Sequence, residues 1–222
     1  MTTPMQSFSR HDLTDLFRSL AERMAAEQSY LAELDGEIGD ADHGVAMAGG
    51  FGAAARALFE ADGGGQTLAQ GLSLAASTLL NAVGATTGPL YASALLRAGQ
   101  ALGDEDRVPF DRLPGVVIAM AEGIAARGHG RPGDKTMVDA WSPAAHAARA
   151  GLAAGMAPAQ ILRQAAHAAS EGAQATRAMM AARGRAARLG PRSIGHLDPG
   201  AVSAAALLDC LASWAEGQGR AP

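Results

Sequence analysis

The chain has 222 residues, 48% of them hydrophobic, which is enough for one well-buried core and does not require a second domain. Lys and Arg total 18 against 22 Asp and Glu, a net charge of −4, and the basic residues are thinly spread, so nucleic acid is not an expected partner. A single cysteine excludes a disulfide framework and a cysteine-based zinc site.

The N-terminal segment carries no targeting signal that we can identify. Residues 1–10 lack the apolar stretch of a signal peptide, and no run in the chain is long and apolar enough to cross a bilayer. The lone cysteine fits a reducing compartment. We therefore expect one cytoplasmic domain over residues 1–222, with no membrane partner.

Apolar residues recur at helical spacing along the chain. The first helix is predicted to end at Leu34, before the turn residues Asp35 and Gly36. Abundant Ala and only 4% aromatic residues also favour helices over a sheet. Seven further helices are predicted at 43–61, 67–83, 89–102, 113–124, 137–153, 158–188 and 201–214. Because short connections make sequential helices antiparallel neighbours, the pattern predicts an all-α, single-domain antiparallel bundle or barrel of eight helices.

Four connections are rich in Gly and polar residues: 34–44, 84–89, 127–137 and 189–200. They follow the first, third, fifth and seventh predicted helices. Alternate loops of an up-and-down bundle lie at the same end. We therefore expect these four loops to converge on one site at one end of the domain.

The first of these loops contains three carboxylates, Asp35, Asp40 and Asp42. Hard oxygen ligands of this kind suit magnesium or calcium. An EF-hand is excluded, because a loop starting at Asp40 places Gly44 and Phe51 where ligands are required. The alternative is that these Asp residues cap helices and fill turns.

His43 and Gly44 lie where the second helix is predicted to begin. Free backbone N–H groups and the positive end of the helix dipole would point into the same space as the carboxylates. An anionic group held by a metal ion could bind there. A histidine at a helix start is otherwise a cap or a packed side chain.

The loop 127–137 resembles two nucleotide motifs and satisfies neither. Its GxGxxG pattern follows a helix, whereas a dinucleotide fingerprint follows a strand. Its Walker A-like lysine, Lys135, is separated from Gly133 by Asp134. The loop is therefore either a nucleotide-binding loop of another geometry or a flexible hinge.

The last loop combines arginines suited to phosphate or base recognition with Ser193, His196 and Asp198. A hydrolytic triad is excluded, because there is no GxSxG elbow and three neighbours on one loop rarely form the required hydrogen-bond chain.

Four motifs in order cover nearly the whole chain: GEIGDADHG (36–44), GATTGPLYAS (84–93), PGDKTMVDAW (132–141) and GRAARLGPRSIGHLDPGA (184–201). Together they resemble the L subunit family of dihydroxyacetone kinases, also called the DhaL or Dak2 domain family. The resemblance implies an eight-helix barrel, in agreement with the periodicity.

The resemblance also implies a site for magnesium and a nucleotide, ADP or ATP. Asp35, Asp40 and Asp42 would bind two Mg2+ ions that bridge to the phosphates. The phosphates would be met by His43, Gly44, Val45, Ala46, Thr86 and Thr87, and the ribose and adenine by Gly128, Met137, Arg185, Asp198, Pro199 and Gly200.

The function implied is that of a kinase subunit that presents the nucleotide to a small ketose bound by a separate DhaK-type subunit. Phosphoryl transfer needs positioning and charge neutralisation, so no catalytic side chain is assigned. A free-standing L module favours bound ADP, rephosphorylated by a DhaM-type phosphotransferase-system protein, over free ATP. The chain alone is expected to be inactive.

Three residues depart from the family pattern: Thr86 and Thr87 in the second loop, and Arg188 where an aromatic residue is frequent. They leave the acceptor open, so a subunit of an ATP-dependent kinase for another sugar such as erythrulose is an alternative. Two other classes compete: a nucleotide-sensing regulatory module and a plain helical interaction domain.

Overall fold

The computed structural model describes residues 7–61, 65–84 and 86–218. Within these ranges the α-helices are α1 Arg10–Ile38, α2 His43–Glu60, α3 Leu68–Ala82, α4 Thr87–Leu102, α5 Leu113–Gly128, α6 Val138–Ala153, α7 Pro158–Ala175 and α8 Pro199–Gln218. Each helix packs against the next, and α8 packs against α1, so the ring closes into a barrel. The all-α fold class is confirmed. None of the described helices has the length and apolar character needed to cross a membrane.

Two helices begin with reciprocal side-chain caps. Ser9 accepts a hydrogen bond from the backbone N–H of Asp12, and Asp12 Oδ2 accepts from the Ser9 N–H at 2.8 Å. Thr67 and Gln70 form the same box at the start of α3. Such caps satisfy N–H groups that the first turn of a helix leaves without partners. The first residues of α1 and α3 are therefore set by neighbouring side chains in the sequence.

The predicted end of the first helix was wrong by one turn. Helix α1 continues past Leu34 to Ile38 and ends where the Gly39 N–H donates to the Asp35 carbonyl oxygen. Asp35 is thus held on the last turn of a helix instead of in a loop.

The predicted seventh helix, which ran to Arg188, was also too long. Helix α7 ends at Ala175, and 3-10 turns follow at Thr176–Ala178 and Ala186–Ser193. The Ala182 N–H donates to the Asp134 carbonyl oxygen of another loop, not to a carbonyl one turn earlier. Tertiary hydrogen bonds therefore override the helix-forming composition of this segment.

A short antiparallel pair of strands was not predicted. Strand β1 (Ser7–Ser9) pairs with β2 (Arg107–Pro109), with Phe8 opposite Val108. Three residues are too few to show a period-two pattern. Trp214 of α8 packs on the Phe8 ring with 5.6 Å between centroids, so the pair covers the end of the barrel at which α8 finishes.

A row of aromatic rings crosses the barrel interior. Phe17 stacks on Phe51 at 6.3 Å, Phe51 meets Tyr91 edge to face at 5.7 Å, and Tyr91 meets Trp141 at 6.3 Å. These rings come from α1, α2, α4 and α6 and are at most 3% exposed. Their packing fixes the helices around the ring relative to one another.

Helices α1 and α2 approach closely at Gly44. A Cβ atom at this position would overlap the Gln28 carbonyl oxygen and lie 2.8 Å from the Ala32 backbone nitrogen. Backbone atoms cannot move aside as a side chain can. The first turn of α2 therefore lies against α1 because residue 44 lacks a side chain.

Gly44→Ala is expected to lower the free energy of unfolding by about 2 kcal/mol or more, because the added methyl forces α1 and α2 apart. Gly49→Ala, on an exposed position of α2 where a Cβ meets no atom within 4 Å, should instead be neutral or stabilising by up to ~1 kcal/mol. Urea unfolding of both variants measures the difference. Equal stabilities would contradict the close approach.

Candidate functional site

Asp35, Asp40 and Asp42 form an acidic cluster at the junction of α1 and α2. One carboxylate oxygen from each lies within 4.8 Å of the others. Asp35 is nearly buried and the other two are exposed. Ala41, between them, has φ of 64°, a left-handed conformation unusual for a residue with a side chain. Three hard oxygen donors at this spacing fit a magnesium ion.

Gly39 leaves room for the Asp35 carboxylate. A Cβ at residue 39 would overlap Asp35 Oδ1, and the Gly39 N–H caps α1 through the Asp35 carbonyl. A larger residue would displace the carboxylate. Gly39 therefore sets the position of the most buried member of the cluster.

Arg185 supplies positive charge to the cluster. Its guanidinium forms an ion pair with Asp40, and its Nη1 lies 3.1 Å from Asp42 Oδ2. The sequence predicted Arg185 near ribose or adenine, and the structure places it at the mouth of the same cavity, against the carboxylates. Arg185 thus partly offsets the repulsion among these carboxylates.

His43 is turned away from solvent. Its backbone N–H donates to Asp35 Oδ2 at 3.1 Å, and its ring Nε2 lies 2.9 Å from Ser203 Oγ of α8. The residue is 8% exposed, and burial lowers the pKa of the imidazole, against the opposing effect of the Asp35 carboxylate. The ring is therefore neutral near pH 7.

The three residues that follow lie outside the lining of the cavity. Gly44 packs against α1, and Val45 is 58% exposed on the outer surface. The Ala46 N–H is occupied by the Asp42 carbonyl oxygen at 2.9 Å. Among the residues described, no hydrogen bond engages the N–H groups of Gly44 and Val45, so these two donors remain for an anion.

The loop 127–137 is anchored at Lys135. This lysine is 1% exposed, and its ammonium donates to the carbonyl oxygens of Thr176, at 2.7 Å, and His196. The Asp139 carboxylate accepts hydrogen bonds from the N–H groups of Gly133 and Thr136. The loop is therefore not held like a Walker A loop. Two of the three ammonium donors of Lys135 are bonded to carbonyl oxygens, so the lysine joins two loops at the cavity lining.

The turn Asp198-Pro199-Gly200 opens α8. Asp198 Oδ2 accepts from the Ala201 N–H at 2.7 Å, and its own N–H donates to Thr176 Oγ1 at 3.0 Å. Burial raises the pKa of the Asp198 carboxyl to about 7, with Asp139 acting in the same direction and Lys135 opposing.

The four Gly-rich loops meet at one end of the barrel around an open cavity of about 500 Å3. Nine predicted nucleotide-site residues line it, as do all three acidic residues: Asp35, Asp40, Asp42, His43, Thr86, Thr87, Gly128, Met137, Arg185, Asp198, Pro199 and Gly200. Ala85 of the second loop lies outside the described residues. The expected convergence of the loops is found.

The first residues of α2, α4, α6 and α8 all line this cavity, because every even-numbered helix begins at the same end of the barrel. Each helix start presents N–H groups and a positive dipole end. The cavity thus combines an acidic cluster with several donors to anions, an arrangement that suits a phosphate held by a metal ion.

Sequence reasoning missed several residues at or behind this cavity. Arg183 lines it and pairs with Asp134 at 2.7 Å. Leu90 and Ile124 form part of an apolar side. Ser203 contacts His43 from behind. Neither an apolar residue nor a serine within a helix differs, in sequence, from an ordinary core position.

Comparison with known proteins gives a consistent picture. A family model described as the DAK2 domain matches residues 37–213. The chain is 36% identical over 209 residues to the "PEP-dependent dihydroxyacetone kinase, ADP-binding subunit DhaL" of Escherichia coli (strain K12). This alignment covers 93% of this chain and 97% of that protein. It is 32% identical over 214 residues to an L-erythrulose kinase of Pectobacterium atrosepticum, which covers 95% of this chain but 36% of that protein.

One solved structure has a similar fold. The dihydroxyacetone kinase from C. freundii in complex with AMP-PNP and Mg2+ superposes with a TM-score of 0.67 at 24% identity. The match covers 96% of this chain and 36% of that chain. At this level of identity the likeness supports the barrel fold.

Gly39→Ala is expected to weaken Mg2+ binding about 10-fold or more, because the methyl displaces the Asp35 carboxylate. Gly36→Ala is the matched control, since its Cβ would meet just the Ala41 Cβ at 3.6 Å, an ordinary contact. Calorimetric titration with Mg2+ and ADP compares the two. Unchanged affinity in Gly39→Ala would show that Asp35 is not a ligand.

Asp198 is expected to make the metal-free protein less stable as pH rises. Its folded-state pKa of about 7 lies above the unfolded value, so folding takes up a proton between about pH 4 and 7. The resulting stability is complete below about pH 4 and is lost as pH rises through 7, at up to ~1.4 kcal/mol per pH unit.

Asp198→Asn removes this titration and keeps an oxygen that can accept the Ala201 N–H. Urea unfolding at several pH values should therefore show the wild type losing stability relative to the variant from pH 4 to 7. Parallel pH profiles would contradict the raised pKa.

Proposed function

Because this chain belongs to the DAK2 domain family, we propose that it is the nucleotide-binding subunit of a dihydroxyacetone-type kinase, working in the cytoplasm. It would present Mg-ADP or Mg-ATP for phosphoryl transfer to a small ketose on a separate DhaK-type subunit. The DhaL subunit of E. coli matches along 97% of its own length, which supports an ADP-binding subunit of this type.

The observation that carries this proposal is the acidic cluster in the lining of a cavity that four helix starts also line. Asp35, Asp40 and Asp42 would hold two magnesium ions. The N–H groups of Gly44 and Val45 lie beyond the lining, at the start of α2, and with Thr86 and Thr87 of α4 they would meet the phosphates. His43 would orient the Asp35 carboxylate through its backbone N–H. Ala46 would stabilise the first turn of α2 through its N–H bond to the Asp42 carbonyl oxygen.

The ribose and adenine would lie on the opposite side of the cavity. Gly128 and Met137 line it beside the apolar side chains Leu90, Ile124 and Val138. The Asp198-Pro199-Gly200 turn and Arg185 would complete the enclosure. The volume of about 500 Å3 falls within the range of small-molecule and cofactor sites.

In this mechanism the protein binds, orients and shields. Bound magnesium would supply neutralisation of phosphate charge. The carboxylates orient the metal, the helix starts orient the phosphates, and the apolar wall excludes water from one side. Arg185 lies close enough to the carboxylates to adjust when a cation joins them. No side chain in the cavity is required as a nucleophile, as expected for phosphoryl transfer.

The same similarity supports a proposal for the phosphoryl donor. The E. coli relative is named as PEP-dependent and ADP-binding. We therefore assign ADP as a retained cofactor of this chain, rephosphorylated by a DhaM-type phosphotransferase protein. Dihydroxyacetone is the first candidate acceptor. The similarity to an L-erythrulose kinase makes erythrulose the second candidate. Each sugar, offered separately to this chain with a DhaK-type subunit and a phosphoryl donor, distinguishes the two.

Calorimetry is expected to show tight ADP binding with Mg2+ and none after chelation. Asp40→Asn should weaken binding at least ~10-fold, because a ligand charge is lost. Asp111→Asn, an exposed residue of the 3-10 turn Phe110–Arg112 remote from the cavity, should bind as the wild type does.

ADP that stays bound through purification would support the phosphotransferase-type donor. If bound ADP is replaced by free ATP at a rate that matches turnover, ATP would instead be supported as the phosphoryl donor. A wild-type protein that binds neither nucleotide under any condition would reject the kinase-subunit proposal.

A further inference from the structure

Ser203 lies in the first turns of α8, outside the acidic cluster and outside the lining of the cavity. It is 0% exposed, and its Oγ is 2.9 Å from His43 Nε2 and 3.1 Å from the Gly200 carbonyl oxygen. A hydroxyl in a helix interior often bonds to a carbonyl of its own helix. Ser203 additionally reaches a side chain of another helix, and that side chain belongs to the candidate site.

His43 links this serine to the carboxylate cluster. At one end its ring meets Ser203, and at the other its backbone N–H donates to Asp35 Oδ2 at 3.1 Å. The ring has little freedom to reorient, since the residue is only 8% exposed. A continuous series of contacts therefore runs from Ser203 on α8, through His43 at the start of α2, to Asp35 on the last turn of α1.

We propose that Ser203 is a positioning residue for the metal ligand Asp35 and acts on it through His43. This inference rests on the proposed function, in which Asp35 binds magnesium. A carboxylate ligand must hold one orientation to bind a metal well, and partners behind the ligands commonly change metal affinity 10- to 100-fold when removed. The His43 N–H is such a partner of Asp35, and Ser203 holds the ring of that histidine.

Tyr91 offers a matched comparison within the same part of the core. Its hydroxyl lies beside the side chains of Ser203 and Trp141, but it is 0% exposed and has no hydrogen-bond partner within the described part of the chain. Tyr91→Phe and Ser203→Ala each delete one buried hydroxyl from neighbouring places. Of these two hydroxyls, only that of Ser203 lies within hydrogen-bonding distance of His43.

The test is a Mg2+ titration of nucleotide binding at fixed ADP, with unfolding of the metal-free proteins measured in parallel. Ser203→Ala is expected to raise the Mg2+ concentration at half-saturation about 10-fold, and Tyr91→Phe to leave it unchanged. When His43 is already replaced by Ala, adding Ser203→Ala should cause no further loss of Mg2+ affinity, because the contact between Ser203 and the His43 ring is already absent. If alanine impairs folding, Ser203→Cys keeps the size and weakens the hydrogen bond.

Three outcomes would overturn the inference. These are wild-type Mg2+ affinity in Ser203→Ala, an equal loss in Tyr91→Phe, and additive losses in the double variant. An equal loss would mean that any deleted core hydroxyl loosens the site. A wild-type protein that fails to bind Mg-ADP rejects the proposed function itself, whereas a wild type that binds together with an unaffected Ser203→Ala rejects this inference alone.

Discussion

Three carboxylates held within 4.8 Å of one another repel, and much of the structure around them offsets that repulsion. Arg185 pairs with Asp40 and Asp42, and the His43 N–H donates to Asp35. These compensating groups come from the segment after α7 and from the start of α2. The three carboxylates share the segment 35–42, but the fold brings Arg185 to them from a distant part of the chain. Under the proposed function, a bound cation would complete the same charge balance.

The closed ring of antiparallel helices does this positioning. Every even-numbered helix starts at the cavity, so backbone N–H groups gather there beside the basic residues Lys135, Arg183 and Arg185. The aromatic row from Phe17 to Trp141 ties four of the helices together across the interior. A packed core resists small displacements of the helices. The loops that meet at the cavity are therefore attached to helix ends whose positions are fixed.

Lys135 shows how tertiary structure reassigns a residue that looks functional. Beside a Gly-rich loop, a lysine is typical of phosphate binding. Here its ammonium is buried against the carbonyl oxygens of Thr176 and His196, and burial lowers the pKa of that ammonium. Those carbonyls lie in the segment that leaves helical geometry after Ala175. Lys135 therefore stabilises the irregular path that carries Arg185 to the carboxylates and Asp198 to the start of α8.

The sequence by itself determined the helical class, the order of the helices and the end of the domain where the polar loops gather, because these depend on periodicity and on the parity of short connections. It also selected Asp35, Asp40 and Asp42 as candidate metal ligands, and the structure brings one carboxylate oxygen of each within 4.8 Å of the others. The tertiary structure alone decided that Asp35 lies on a helix, that α7 stops at Ala175 and that Gly44 packs against α1. It also decided that Lys135 joins two loops and that Ser203 contacts His43. These features depend on contacts between residues far apart in the chain, which no local pattern records.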